Sequence, residues 1–153
     1  MARARRIGAA IAVLALAGVA ISGYLSAVHY AGLPLACNQA GFVNCEAVIG
    51  SRYGTIGSSG IPVAAAGIAW FAISLGLGAA LVARPVRQLS WVLGAWSGLG
   101  MLAVLYLVYI EIVRIGAICA WCTAVDGLVL LTVLLAVYLV WSPPAEDEST
   151  ELG

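Results

Sequence analysis

Four stretches of this 153-residue chain run for about twenty residues or more with one charge at most: residues 7–28, 61–83, 89–110 and 115–141. The single charge is Asp126 in the last run. A helix needs ~20 apolar residues to cross the roughly 30 Å hydrocarbon layer of a bilayer. Composition points the same way. The chain is 63% hydrophobic and 9% charged, whereas a soluble domain is about half apolar and a quarter charged. A soluble fold of this length leaves much of its surface in water and has nowhere to hide so much apolar area. Small residues recur inside the runs, in GAAIAVLALAG, AAAGIAW and GAWSGLG, where they let helix backbones approach closely in lipid. The expected fold is an all-α integral membrane protein, a four-transmembrane-helix bundle with spans at about 7–28, 61–83, 89–110 and 118–141.

Arginine sets the expected orientation. Arg3, Arg5 and Arg6 precede the first span, and Arg84 and Arg87 lie between the second and third. With four spans, both groups share a side with the C-terminus. That side holds five of the seven arginines and is therefore cytoplasmic. Residues 1–6 are then a cytoplasmic N-terminus, 7–141 one membrane domain, and the proline-broken SPPAEDESTELG at 142–153 a disordered acidic cytoplasmic tail. The first run is longer than the 7–15 residues of a signal-peptide core, so it is read as a span. Net charge is zero, and nothing points to nucleic acid. The localisation expected is an inner or plasma membrane, crossed four times.

This topology puts all four cysteines on the extracytoplasmic side. Cys37 and Cys45 lie in the long outer loop, residues 29–60, and Cys119 and Cys122 open the last span as Cys-Ala-Trp-Cys. A Cys-x-x-Cys at a helix start is apt for redox work, because free amides and the helix dipole stabilise a thiolate at the first cysteine. Its position beside lipid suits exchange with a lipid-soluble quinone. Two other readings use the same residues: structural disulfides in a non-catalytic membrane protein, or a four-cysteine zinc site.

The pattern Cys37, seven residues, Cys45, five residues, Ser51, then Cys119-Ala-Trp-Cys122 at the last helix resembles the vitamin K epoxide reductase family, its bacterial homologues in particular. The order of the motifs separates it from the DsbB family, in which the Cys-x-x-Cys comes first. The resemblance implies a four-helix bundle around a quinone of menaquinone or ubiquinone type, with no metal. It implies a relay in which a thioredoxin-like protein reduces Cys37 and Cys45, these reduce Cys119–Cys122, and Cys122 passes electrons to the quinone. Cys45 is the loop cysteine expected to bridge to Cys119. Ser51 matches a family serine near loop and quinone. With the chain stopping at Gly153, the thioredoxin-like partner is expected to be a separate protein on the outer face.

Asp126 departs from the aromatic or histidine residue the resemblance leads one to expect there. It follows Cys122 by four residues and shares a helical face with both cysteines. A carboxylate facing lipid costs at least about 2.5–3.5 kcal/mol, so that face is expected to look into the bundle. Asp126 is thus a candidate for binding the quinone or donating a proton to it. His29 and Tyr30 read as interfacial anchors, and Trp91, Trp121 and Trp141 as residues at span ends. Glu111 and Arg114, three residues apart, read as a local pair.

Overall fold

The computed structural model describes residues 2–37 and 41–142. Its elements are α1 (Ala2–Ala31), the short α2 (Cys45–Ile49), α3 (Val63–Ala83), α4 (Arg87–Tyr109) running on into a π-helical turn (Ile110–Ile115), and α5 (Ala120–Trp141). Among the described residues four helices are long and apolar enough to cross a membrane, with mean hydropathy between 1.9 and 2.3. The protein is an all-α four-helix membrane bundle.

The helix ends depart from the hydropathy boundaries for local reasons. α1 starts at Ala2 because nothing in the exposed arginine stretch breaks a helix. α3 begins after Pro62, whose fixed φ and missing N–H suit a helix entrance. The third span carries on past residue 110 to Ile115, which brings Glu111 into it. α5 starts at Ala120 rather than 118, because Ile118 is extended and bridged to Val43. Ser142 closes α5. The remainder of the tail expected to be disordered, 143–153, lies outside the described residues.

α1 packs most extensively on α3 and α4 on α5, while α1–α5 and α3–α4 contacts close the bundle. Glycines set the first of these interfaces. A Cβ at Gly8 would stand 2.8 Å from the Gly78 carbonyl oxygen, and one at Gly78 would stand 2.9 Å from that of Gly8. Both helices can come this close only because neither carries a side chain there. Further along, Gly18 leaves its place to the Phe71 ring. The α3–α4 contact carries a polar link: Trp96 Nε1 donates to Ser74 Oγ at 3.1 Å, and Ser74 Oγ donates to the Trp70 carbonyl at 2.9 Å. Trp70 and Trp96 stack with centroids 6.3 Å apart. The outward face of α4 presents Leu99, Leu102 and Leu105, a surface suited to lipid.

Gly18→Ala tests this packing. Its methyl would enter the space of the Phe71 ring. Overpacking of this kind costs about 1–3 kcal/mol, against a gain of at most ~1 kcal/mol in helix propensity. The thermal midpoint in detergent should fall, and adding Phe71→Leu should recover part of the loss. Gly23→Ala, where a Cβ meets open space, should not lower it.

Candidate functional site

The loop is held against the start of α5 by backbone pairing. Ile118 N donates to the Phe42 carbonyl at 2.9 Å, and Asn44 N donates to the Ile118 carbonyl at 3.0 Å. Asn44 then caps α2, its side-chain oxygen accepting the Ala47 N–H at 3.0 Å. This seats Cys45 at the first position of α2 and buries it. The other flank is tied by Trp121, whose Nε1 donates to the Ala36 carbonyl at 2.8 Å and whose ring lies 5.3 Å from that of Tyr24. Trp121, read from sequence as a span-end residue, therefore also locks the loop. Cys37 and Cys45 form a disulfide, while Cys119 and Cys122 are free. All four sulfur-bearing residues belong to one buried cluster, with Cys45 and Cys119 fully inaccessible.

The two free cysteines have different surroundings. Cys119 is the N-cap of α5, and its sulfur accepts the Cys122 N–H at 3.2 Å. The Cys119 thiol is held below its ordinary pKa, chiefly by a hydrogen bond from the Cys122 thiol, with helix amides assisting and burial opposing. Cys122 is less buried and lines a cavity of about 290 Å³ between the helices. The cavity wall is mostly apolar, including Leu25, Phe71, Val104 and Val129. Its polar side chains include His29, Tyr53, Glu111 and Asp126. Asp126 thus faces inward beside Cys122.

Ser51 is not among the residues lining this cavity. Its hydroxyl donates to the Val48 carbonyl at 2.7 Å and accepts the Tyr53 N–H at 3.2 Å. It shapes the turn that presents Tyr53, and Tyr53 reaches the cavity in its place. Arg114 Nη2 donates to the Tyr53 hydroxyl at 3.1 Å. The guanidinium carbons of Arg52 and Arg114 lie 5.4 and 6.0 Å from the Tyr53 ring centroid. The phenol is shifted below its usual range by the Arg114 hydrogen bond first, then by Arg52.

The local pair of Glu111 with Arg114 is corrected. Glu111 turns inward and is buried, and its Oε2 accepts the Cys119 N–H at 3.3 Å. Its backbone carbonyl accepts Gly116 N at 2.8 Å and Ala117 N at 3.2 Å. Gly116 adopts φ +70°, a left-handed conformation glycine takes without strain. This turn delivers the chain to Cys119. Glu111, Tyr53 and His29 are thus site residues that sequence reasoning missed. Two signals were available: an acid directly after an apolar span, and a histidine closing one.

A four-helix membrane bundle that brings a loop disulfide and a free Cys-x-x-Cys into one cluster, above an apolar cavity, is a membrane oxidoreductase in architecture. The chain belongs to the vitamin K epoxide reductase family, whose model matches residues 9–139. No individual curated protein matches it. The Cys37–Cys45 disulfide occupies two of the sulfurs that a four-thiolate zinc site requires. Among the described residues, no three His, Cys, Asp or Glu side chains are grouped to hold a metal.

The lowered Cys119 pKa has a direct consequence. Alkylation of Cys119 in the reduced protein should titrate below the ~8.5 of a free cysteine. Because the largest contribution comes from the Cys122 thiol, Cys122→Ala should move that midpoint upward. Mass spectrometry of the modified peptide across a pH series reads both.

Proposed function

We propose that the chain is a quinone-coupled thiol-disulfide oxidoreductase that supports disulfide formation outside the cytoplasm. A separate thioredoxin-like protein on the outer face gives electrons to Cys37 and Cys45. These pass them to Cys119 and Cys122. The observation that carries the reading is the shared cluster of the two cysteine pairs, with Cys122 opening onto the cavity.

The residues present fit a quinone. The apolar wall would take a ring and isoprenoid chain, while Asp126, His29 and Tyr53 are the polar groups that would orient it. When bound, a quinone supplies a two-electron, two-proton acceptor. Everything else rests on the chain itself. Thiol exchange proceeds through mixed disulfides, one sulfur attacked at a time. Cys45 and Cys119 are the fully buried members of the two pairs and pack in the same cluster. They are the sulfurs suited to form the inter-pair bridge, with Cys37 and Cys122 as resolving partners. Burial of that bridge keeps water and stray thiols away from it. Cys119 can leave as a thiolate on the helix amides. Ser51 contributes through the turn that holds Tyr53. Asp126 acts as hydrogen-bond partner or proton donor at the cavity. The arginine distribution supports an extracytoplasmic placing of this end in a bacterial plasma membrane.

Reconstitution with a thioredoxin-like dithiol and a short-chain quinone tests the reading. Quinone reduction is expected in the wild type and its complete loss in Cys119→Ala and Cys122→Ala. Cys122→Ala should also accumulate a Cys45–Cys119 mixed disulfide, identifiable by peptide mapping, because Cys122 is no longer there to resolve it at Cys119 and only return attack by Cys37 remains. Wild-type turnover in either variant would exclude the relay.

The topology is checked separately. An impermeant thiol reagent applied to reduced spheroplasts should label Cys37, the partly exposed member of the loop pair, from the outside only. Labelling solely in inverted vesicles would reverse the orientation.

A further inference from the structure

Opening the Cys119–Cys122 disulfide produces an anion at Cys122. When the Cys45 thiolate attacks Cys119, the Cys45–Cys119 bond forms and the Cys119–Cys122 bond breaks. The electron pair of the broken bond stays on the Cys122 sulfur. That sulfur borders the cavity on which Glu111 and Asp126 also open, and among the described residues lining it there is no arginine or lysine. The amide at the start of α5 points to the Cys119 sulfur instead. A thiolate at Cys122 would sit beside two carboxyl groups in apolar surroundings, where an uncompensated charge is costly. It therefore needs a proton as it leaves.

Glu111 is built to supply that proton. Its side chain is only 6% exposed. One oxygen is fixed by the Cys119 N–H, and the carboxyl group opens on the same cavity as Cys122. Asp126 lies one turn further into α5 on the cavity wall, while Glu111 is the carboxyl group that holds the Cys119 N–H. Tyr53 is engaged by Arg114. The π-helical turn that carries Glu111 is a device often found at functional sites.

We propose that Glu111 is the proton carrier for Cys122: it protonates the departing Cys122 sulfur as the Cys119–Cys122 disulfide opens, and takes that proton back when the pair is reoxidised. The role rests on the thiol exchange proposed above. In the second half of the exchange the Cys37 thiolate attacks Cys45, the Cys37–Cys45 bond forms and the Cys45–Cys119 bond breaks. Cys119 leaves as a thiolate on the α5 amides and needs no carrier. The end state is a loop disulfide, a Cys119 thiolate, a Cys122 thiol and a Glu111 carboxylate. The cysteine pairing in the structure is that of this end state.

The test needs no quinone. The Cys119–Cys122 disulfide is reduced with dithiothreitol, and the rate is divided by the concentration of dithiothreitol thiolate at each pH. In the wild type this normalised rate should fall as pH rises, because the protonated carboxyl is consumed. Glu111→Gln can still accept the Cys119 N–H through its amide oxygen but has no proton to give. Its normalised rate should be flat with pH and lower at acid pH by about a hundredfold or more, the scale of general acid catalysis. Glu111→Asp should recover part of the rate and keep a pH-dependent limb. It carries the test if the glutamine variant does not fold.

Other titratable groups around Glu111 are His29 from α1, Tyr53 from the loop, Cys122 and Asp126 of α5 with Cys119 at its N-cap, and Arg114 on its own turn. α3 brings none to the cavity. The limb should therefore persist in Asp126→Asn and His29→Gln. A wild-type rate and profile in Glu111→Gln, or a Glu111→Asp variant with no more rate than Glu111→Gln and no pH-dependent limb, would overturn the assignment. If the wild type reduces no quinone while the Glu111 effect on disulfide reduction persists, the quinone coupling falls and the proton carrier stands.

Discussion

Ile118 is where the two halves of the site are registered to each other. Its N–H and carbonyl both pair with the loop, at Phe42 and Asn44, one residue before Cys119. Those bonds, at 2.9 and 3.0 Å, are backbone contacts, and a pair of them sets position along the chain to within a residue. Cys45 follows Asn44 directly and Cys119 follows Ile118 directly, so registering one pair of neighbours registers both sulfurs. The loop can be rich in glycine and still present its disulfide in one place. Trp121 holds the far side of the same loop through Ala36 and Tyr24, which makes the loop a clamped lid on α5.

From this registration follows a division of labour between the sulfurs. The start of a helix offers unpaired amides and a partial positive charge, and these fall on Cys119. Cys122, three residues on, has already entered the helix, and its own N–H is one of the donors to Cys119. The spacing of Cys-x-x-Cys thus makes one sulfur suited to carry charge and the other suited to carry a proton. The cavity reinforces the difference, because its mostly apolar wall strengthens every electrostatic interaction at its edge. Carboxyl groups at such an edge interact strongly with whatever proton or charge arrives there.

The helices were legible in the sequence because a bilayer imposes length and apolarity on each span separately, without reference to its neighbours. The meeting of the four cysteines was legible because their spacing, and the spans they adjoin, are one-dimensional properties. Glu111 was not. In sequence it is an acid at the end of a span with an arginine three residues later, the ordinary dress of an interfacial pair. Only the π-helical turn sends the two side chains apart, Glu111 to Cys119 and Arg114 to Tyr53. His29 was read with Tyr30 as an interfacial anchor because rings that close a span commonly sit at the membrane surface. The helix continues to Ala31, and the ring borders the cavity. Ser51 matched a pattern, but what its hydroxyl touches is set by the fold of the turn, where both of its bonds go to backbone.

The π-helical turn also explains how one segment can serve lipid and site at once. In a regular α-helix each residue advances by about 100°, so the side-chain directions of the segment are dictated from below. A wider turn shifts every later residue around the axis. In this protein the turn leaves Ile112 and Val113 outward, at 54% and 60% exposure, while Ile110 and Glu111 are buried. The Glu111 carbonyl accepts both Gly116 and Ala117 N–H groups, so the helix end is closed without water. The cost of a longer-period turn is met by tertiary contacts at both ends: Cys119 N–H to the Glu111 side chain, and Arg114 to Tyr53. Each of those contacts also belongs to the site. The contacts that hold the irregular segment are the same ones that place the buried carboxyl at Cys119 and the guanidinium at Tyr53.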